Sequence, residues 1–463
     1  MAATRPVLAW LSTGALAIGC LAAGAWALPQ WQQAEKLEAE AVAPGVTATP
    51  IEPATGQNTP TPLDTAGLAE RLSGVLNDLN QGTVSAQVID ADSGHLIFEQ
   101  DANAQRTPAS NMKMLVHYAG VVTAPETRFT TQVTLAEDGT LALVAGGDTL
   151  LVPGPSDPTR VMGRAGIETL AERTITALKE QGKTAQNFTL NLDTTIYSGP
   201  ALNPEWHEDD IASGFMSAVT PLAFYSHYTP GSNGASGTRP DDAPAQVHST
   251  LIDALNRLGA EAGLTFTPGK ALDTPAHGTE LAAVESATWA EQSALMMQES
   301  DNSLAEVLGR NLSVARGGDG STADAINQIR TVLTEQGLPT DYTQVDLSGL
   351  SMNNKVPSTL LTALTQRATH GTAIERLTLP GLPIAGYNGT LGLPNRFNDA
   401  NETAGRGYVR AKTGTLNSVL SLTGYTVTSG NQTLIFSVTM NDLNNTDAAK
   451  NTIDRFAAEL TAG

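Results

Sequence analysis

The sequence predicts an α+β protein whose C-terminal part is an antiparallel sheet closed by a helix. Apolar residues recur at helical spacing in several segments and alternate with period two in others. The last stretch carries the clearest pattern: Tyr408 to Lys412, Val419 to Thr428 and Thr433 to Thr439 read as strands. Ser429-Gly430-Asn431 turns between the last two of these, and Ala448 to Leu460 reads as a helix. At 463 residues the chain suits two or three domains of roughly 100 to 200 residues each.

From the N-terminus, Arg5 precedes an uncharged run of 22 residues, Val7 to Leu28. About 20 apolar residues span a bilayer, so residues 1–28 predict export, as a cleaved signal peptide or a retained membrane anchor. Ala25-Trp26-Ala27 offers the small-x-small pattern of a cleavage site, while the run is longer than the signal core of about 7 to 15 residues. Gly19 before Cys20 would suit lipid attachment, but Ala17 stands where such signals usually carry leucine. Residues 29–65 include Pro44, Pro50, Pro53, Pro60 and Pro62 among Thr and Ala, which predicts an extended linker.

Globular patterning begins with an amphipathic helix over Leu68 to Leu79 and a strand over Val84 to Ile89. Asp92-Ser93-Gly94 turns the chain into a second strand, His95 to Glu99. Ile167, Leu170, Ala171 and Leu178 fall at helical spacing before Gly182, and Phe188 to Leu192 alternates like a strand. Leu251, Leu255 and Leu258 before Gly259 make another helix, as do Ile329, Val332 and Leu333 before Gly337. Thr229 to Pro244, rich in Gly, Ser and Pro, reads as a long surface loop.

Composition narrows the function. A formal net charge of -21 without a Lys/Arg cluster argues against nucleic-acid binding. Cys20 is the single cysteine and lies in the N-terminal apolar run, so the globular part holds neither a disulfide nor a thiolate metal site. The 7 histidines show no zinc-type spacing, and no metal or other cofactor is implied. Gly146-Gly147-Asp148 lacks a P-loop ending and reads as a turn. Asp209, Asp210, Asp241 and Asp242 read as solvated loop carboxylates.

Three short motifs carry chemistry: Ser110-Asn111-Met112-Lys113, Ser300-Asp301-Asn302 and Lys412-Thr413-Gly414-Thr415. Each alone is weak; in this order they form the S-x-x-K, S-D-N and K-T-G set of serine β-lactamases and penicillin-binding proteins. Pro108 before the apolar Met114, Leu115, Tyr118 and Val121 predicts a helix starting near Ser110. Residues i and i+3 share a helix face, which sets Lys113 beside Ser110 as a base, provided burial or a second cation lowers its pKa. Ser300 and Asn302 fall in a turn between a helix at Trp289 to Met297 and another from Ser303. Lys412 to Thr415 lies on an edge-capable strand, where Gly414 would let substrate backbone approach and the Thr415 amide could face an oxyanion.

Ser300 follows Ser110 by 190 positions and Lys412 follows Ser300 by 112. That long first gap resembles the class C low-molecular-mass penicillin-binding proteins, the D-alanyl-D-alanine carboxypeptidase and endopeptidase family. Thr107-Pro108-Ala109, Gly146-Gly147-Asp148, Asp301-Asn302-Ser303-Leu304-Ala305-Glu306, Leu347-Ser348-Gly349-Leu350-Ser351 and Ala385-Gly386-Tyr387-Asn388-Gly389-Thr390-Leu391 extend the resemblance across Leu68 to Phe456. Asn388 departs from it, since members commonly carry Asp there. The resemblance implies a penicillin-binding, serine β-lactamase-like domain from residues 66–134 and 285–463, interrupted by an inserted region over 135–284.

It also implies roles. Ser110 would attack the penultimate D-alanine carbonyl, with Lys113 as base. Ser300, supported by Lys412, would relay a proton to the departing amine, and Asn302 would bind the substrate peptide. Thr413 and Thr415 hydroxyls would hold the terminal carboxylate beside Gly414, and the Ser110 and Thr415 amides would form the oxyanion hole. The expected partners are peptidoglycan peptides and, as covalent inhibitors, β-lactams, outside the cytoplasmic membrane and with attachment through residues 7–28 left open. A β-lactamase would need a base for deacylating water that the sequence does not display. A catalytically silent wall-binding protein is expected to lack Ser110, Lys113 or Lys412, and all three are present.

Overall fold

Asp64 starts the first helix: its side chain accepts the Gly67 amide at 3.0 Å, one of the donors a helix start leaves unpaired. The helix, α1 (Thr65–Asn77), buries Leu68, Leu72, Val75 and Leu76 on one face. The structure is a computed structural model and describes residues 62–229 and 237–462. The expectations for residues 1–28, and for nearly all of the 29–65 linker, lie outside the described residues. Among the described residues no helix is long and apolar enough to cross a membrane.

Strands β1 (Thr83–Asp90) and β2 (Leu96–Gln100) form the hairpin that Asp92-Ser93-Gly94 predicts, with Ser93 held by Asp90 Oδ1. β1 then pairs antiparallel with β10 (Thr433–Asn441), β10 with β9 (Val419–Val427), and β9 with β8 (Arg410–Leu416). The sheet order is β2-β1-β10-β9-β8, so β8 is an edge. The first of the three predicted C-terminal strands begins later than its apolar start suggests, and all of Lys412 to Thr415 is inside it. Helix α10 (Thr446–Ala462) packs with α1 on one face of the sheet; its Asp454 forms a buried ion pair with Arg396.

The other face meets the helical layer. α2 (Lys113–Thr123), α6 (Trp289–Glu299), α7 (Asn302–Ala315), α8 (Thr322–Glu335) and α9 (Ser358–His370) share one apolar cluster centred on Trp289, Leu115, Leu308 and Leu361. A capping box between Thr288 and Glu291 starts α6, a pairing worth about 1 kcal/mol or slightly more.

The chain leaves this layer at β3 (Thr130–Leu135) and returns through β7 (Thr279–Glu285); the two pair antiparallel, with Thr130 opposite Glu285. Entry and exit therefore run side by side, and the second sheet starts at Thr130 rather than at 135. Its order is β6-β5-β4-β3-β7, from β4 (Leu141–Val144), β5 (Asn187–Asp193) and β6 (Thr265–Ala271). β4, β5 and β6 run parallel, and the connections carry α3 (Ile167–Glu180) and α5 (Ala243–Gly259). Parallel neighbours need such crossovers. α3 and α5 cover a core of Leu170, Ile175, Leu190, Leu251 and Phe266.

The predicted loop Thr229 to Pro244 ends sooner than expected, because Asp242 Oδ1 accepts the Ala245 amide at 3.0 Å and α5 starts at Ala243. Asp242 is thus a helix cap rather than a loop residue, and its carboxylate is solvent-exposed as expected. Short helix α4 (Glu208–Ala212) takes up Asp209 and Asp210. Gly147 turns with φ 96°, and Asp148 is buried, its Oδ1 accepting the Leu150 amide at 2.9 Å. Both sheets lie in one compact unit, Pro60–Gly463.

Candidate active site

Ser110 sits in a 3₁₀ turn, Ala109–Met112, that runs directly into α2. The helix expected to start near Ser110 is therefore α-helical only from Lys113. A 3₁₀ helix has three residues per turn, so i and i+3 eclipse, and Lys113 Nζ lies 3.0 Å from Ser110 Oγ. The turn is held at its entrance: Ala109 has φ 47°, Ser421 Oγ donates to Pro108 O at 2.6 Å, and Asn111 Nδ2 donates to Thr423 Oγ1 at 2.8 Å. A left-handed alanine is costly backbone geometry, fixed here by its packing against β8 and β9.

Lys113 is fully buried and makes two further contacts, to Asn302 Oδ1 at 2.7 Å and to Ser348 O at 2.6 Å. Asn302 Nδ2 donates to Phe215 O at 3.0 Å, which fixes the amide so that its oxygen faces the lysine. Burial lowers the Lys113 pKa to about 8, against the opposing pull of Asp346, Asp301 and Glu306. A neutral amine has two N–H donors and one lone pair. Asn302 Oδ1 and Ser348 O can only accept, so they take both donors, and the lone pair is left facing Ser110.

Ser300 takes φ 57° between α6 and α7, and Asp301 caps α7 through the Leu304 amide at 3.0 Å. This is the turn predicted from the sequence, and it aims Ser300 Oγ at Lys412 Nζ, 2.8 Å away on β8. Lys412 also donates to Thr413 O at 2.7 Å, and Thr413 Oγ1 meets Thr390 Oγ1 at 2.7 Å. Burial, then the Lys113 charge and Arg396, hold the Lys412 pKa well below its ordinary value. Thr415 is exposed at the end of the motif.

Gly414 has a structural reason beside the substrate approach expected of it. A Cβ there would stand 2.7 Å from Pro108 O and 2.2 Å from Ser421 Oγ, so glycine lets β8 close on the serine-bearing turn.

All three motifs thus meet. Sequence reading quoted the segments that hold Ser348 and Thr390 but gave neither a role: the Ser348 carbonyl is a backbone atom, and the partner of Thr390 lies 23 positions away. It also missed Phe215 and Arg239, which bring the 135–284 segment against α7: Arg239 Nη1 donates to Ser303 Oγ at 2.9 Å and its guanidinium stacks on Tyr228. Asn388, which stands where family members commonly carry Asp, accepts the Ile384 amide at 2.8 Å and shapes its own loop. Among the described residues no group of three or more His, Cys, Asp or Glu could hold a metal ion.

The family profile described as D-Ala-D-Ala carboxypeptidase 3 (S13) matches residues 68–232 and 238–462. The chain belongs to that family. It is a serine carboxypeptidase of the D-Ala-D-Ala type, a penicillin-binding hydrolase acting on peptidoglycan and hence outside the cytoplasm. Carboxypeptidase DacB of Mycolicibacterium smegmatis is 32% identical over 436 residues, covering 91% of this chain and 90% of that protein. A carboxypeptidase of Mycobacterium tuberculosis is 29% identical over 405 residues, 85% of this chain and 84% of the relative. In fold the S13 chain is similar to penicillin binding protein 4 of Haemophilus influenzae, with a TM-score of 0.66 and 18% identity over 84% of this chain and 98% of the other. The Haemophilus protein has also been solved in complex with a β-lactam.

Proposed function

We propose that the carboxypeptidase works through an acyl-enzyme on Ser110, with Lys113 as the base. The observation that carries this is the Lys113 amine, 3.0 Å from Ser110 Oγ with its other two contacts on obligate acceptors. Ser110 Oγ attacks the carbonyl carbon of the penultimate D-alanine and its proton passes to Lys113 Nζ. The C–N bond then breaks, and the departing D-alanine amine takes a proton through Ser300, with Lys412 beside it. Water hydrolyses the ester and regenerates Ser110, releasing a stem peptide one residue shorter.

Asn302 supports the substrate peptide, and Thr413 and Thr415 offer hydroxyls to the terminal carboxylate. The Ser110 and Thr415 amides are the donors for the oxyanion. A β-lactam carries a reactive amide and a carboxylate in the same relation, so it acylates Ser110 and stays. We read residues 130–285 as the inserted region, since β3 and β7 enter and leave it as a pair. Val7 to Leu28 directs export; membrane against soluble fractionation of expressed full-length chain separates anchor from cleaved signal.

The test is D-alanine release from a synthetic stem pentapeptide ending in D-Ala-D-Ala, with a cross-linked peptide dimer alongside. Release from the pentapeptide by wild type, abolished in Ser110→Ala, is the expected result; cleavage of the dimer adds endopeptidase activity. Release that survives the Ser110→Ala change sinks the assignment.

A further inference from the structure

With the two protons of neutral Lys113 taken by Asn302 Oδ1 and Ser348 O, the direction of the Ser348 carbonyl decides where the lone pair points. A backbone carbonyl in a loop needs its own anchor. Glu306 supplies it: Oε1 accepts the Leu347 amide at 2.9 Å and the Ser348 amide at 2.8 Å. Glu306 is fully buried and lies four residues after Asn302 on α7, hence on the same helix face. One face of α7 therefore grips the lysine twice, directly through Asn302 and indirectly through the loop that Glu306 holds.

The rest of the loop is clamped as tightly. Asp346 Oδ1 accepts the Gly349 amide at 2.8 Å, and Oδ2 accepts the Ser351 amide at 2.7 Å and Trp206 Nε1 at 3.1 Å. Gly349 takes φ 83°, and a Cβ on it would stand 2.0 Å from Ala109 O, so the loop rests on the backbone of the serine turn. Burying a carboxyl is costly, and Glu306 Oε2 has no hydrogen-bond partner among the described residues. Its burial and the Asp346 charge push its pKa up. An apolar side chain of this size would fill the same space without that cost, but would leave two amides unpaired and the carbonyl free to turn.

We propose that Glu306 is a positioning residue of this active site: it holds the Leu347-Ser348 backbone so that the Ser348 carbonyl fixes Lys113 with its lone pair on Ser110. The inference rests on the reading of Lys113 as base.

Two variants of nearly equal size separate the possibilities. Glu306→Gln keeps an oxygen acceptor for the two amides, whereas Glu306→Met removes it. Full-length wild type and both variants are mixed with benzylpenicillin, and intact mass spectrometry follows both the rate of adduct formation and its final occupancy. Expected are full occupancy in all three, a wild-type-like rate for E306Q, and a rate lowered about 100-fold for E306M, the scale of a misplaced reacting group. The E306M loss should persist at high pH, because the base is misaimed rather than protonated. Three outcomes overturn the proposal: E306M acylating at the wild-type rate constant, E306M showing reduced occupancy at an unchanged rate constant, or E306Q as slow as E306M. Should E306M fail to fold, a large rate loss in E306Q alone overturns it. Wild type that forms no adduct refutes the Lys113 reading as well, and so tells the two failures apart.

Discussion

Lys412 Nζ donates to Ser300 Oγ at 2.8 Å, joining the second motif to the third. A leaving amine needs a proton, and this pair of groups can relay one. Ser300→Ala should slow acylation by benzylpenicillin and by peptide about 100-fold or more, the range for loss of one proton-transfer group. Lys412→Met should do the same, and the double variant should be little worse than either single. Stopped-flow acylation rates check this, and strict additivity of the two losses would contradict a shared role.

With Lys113 as the proposed base, the pH dependence of acylation follows from its titration. Its pKa is lowered to about 8 by burial, so the neutral, base-competent form is roughly a tenth of the enzyme at pH 7. The acylation rate constant should rise about tenfold per pH unit up to pH 7 and level off above about 8. A profile flat from pH 6 to 9 would argue against Lys113 as the titrating base.

Gly414→Ala tests whether the strand must touch the serine turn. The added methyl would meet Pro108 O at 2.7 Å and displace Ser421 Oγ from its bond to that oxygen. We expect a loss of about 1 to 3 kcal/mol, the usual cost of overpacking, together with slower acylation. Thermal unfolding and acylation rates measure both. A variant with wild-type stability and rate would show that β8 shifts freely.

Burial raises the pKa of Asp148 to about 7, although its Oδ1 accepts the Leu150 amide. Its folded pKa exceeds the unfolded value, so its favourable contribution is complete below about pH 4 and is lost as pH rises through 7. Asp148→Asn keeps an oxygen acceptor and removes the charge. The variant should therefore be more stable than wild type at pH 8, by about 4 kcal/mol, with less than half of that gap left at pH 5 and none below about pH 4. Denaturant titrations at the two pH values decide it.

Side-chain spacing made much of this site legible. Ser110 and Lys113 are three positions apart, and any tight helical turn brings them together; Ser300 and Asn302 needed only a turn. What spacing does not encode is where backbone atoms fall, and the Ser348 carbonyl became visible only once the loop was in place. Gly414 was readable as special, but its contact with the distant Pro108 depends on how β8 meets the serine turn. Asp242 is different, since Asp-Ala-Pro is a helix-start signature and the loop-like composition before it masked the cap. The second sheet was legible as helix and strand, but not its start at Thr130, because β3 and β7 are defined by each other.

The most direct test of acyl-enzyme chemistry at Ser110 is intact-mass spectrometry of the chain from Thr61 with and without benzylpenicillin, wild type beside Ser110→Ala. A stable adduct of one penicillin on wild type, mapped to Ser110 and absent from the variant, is the predicted result. An unmodified wild type with the antibiotic left intact, or an adduct that persists on the variant, would contradict it.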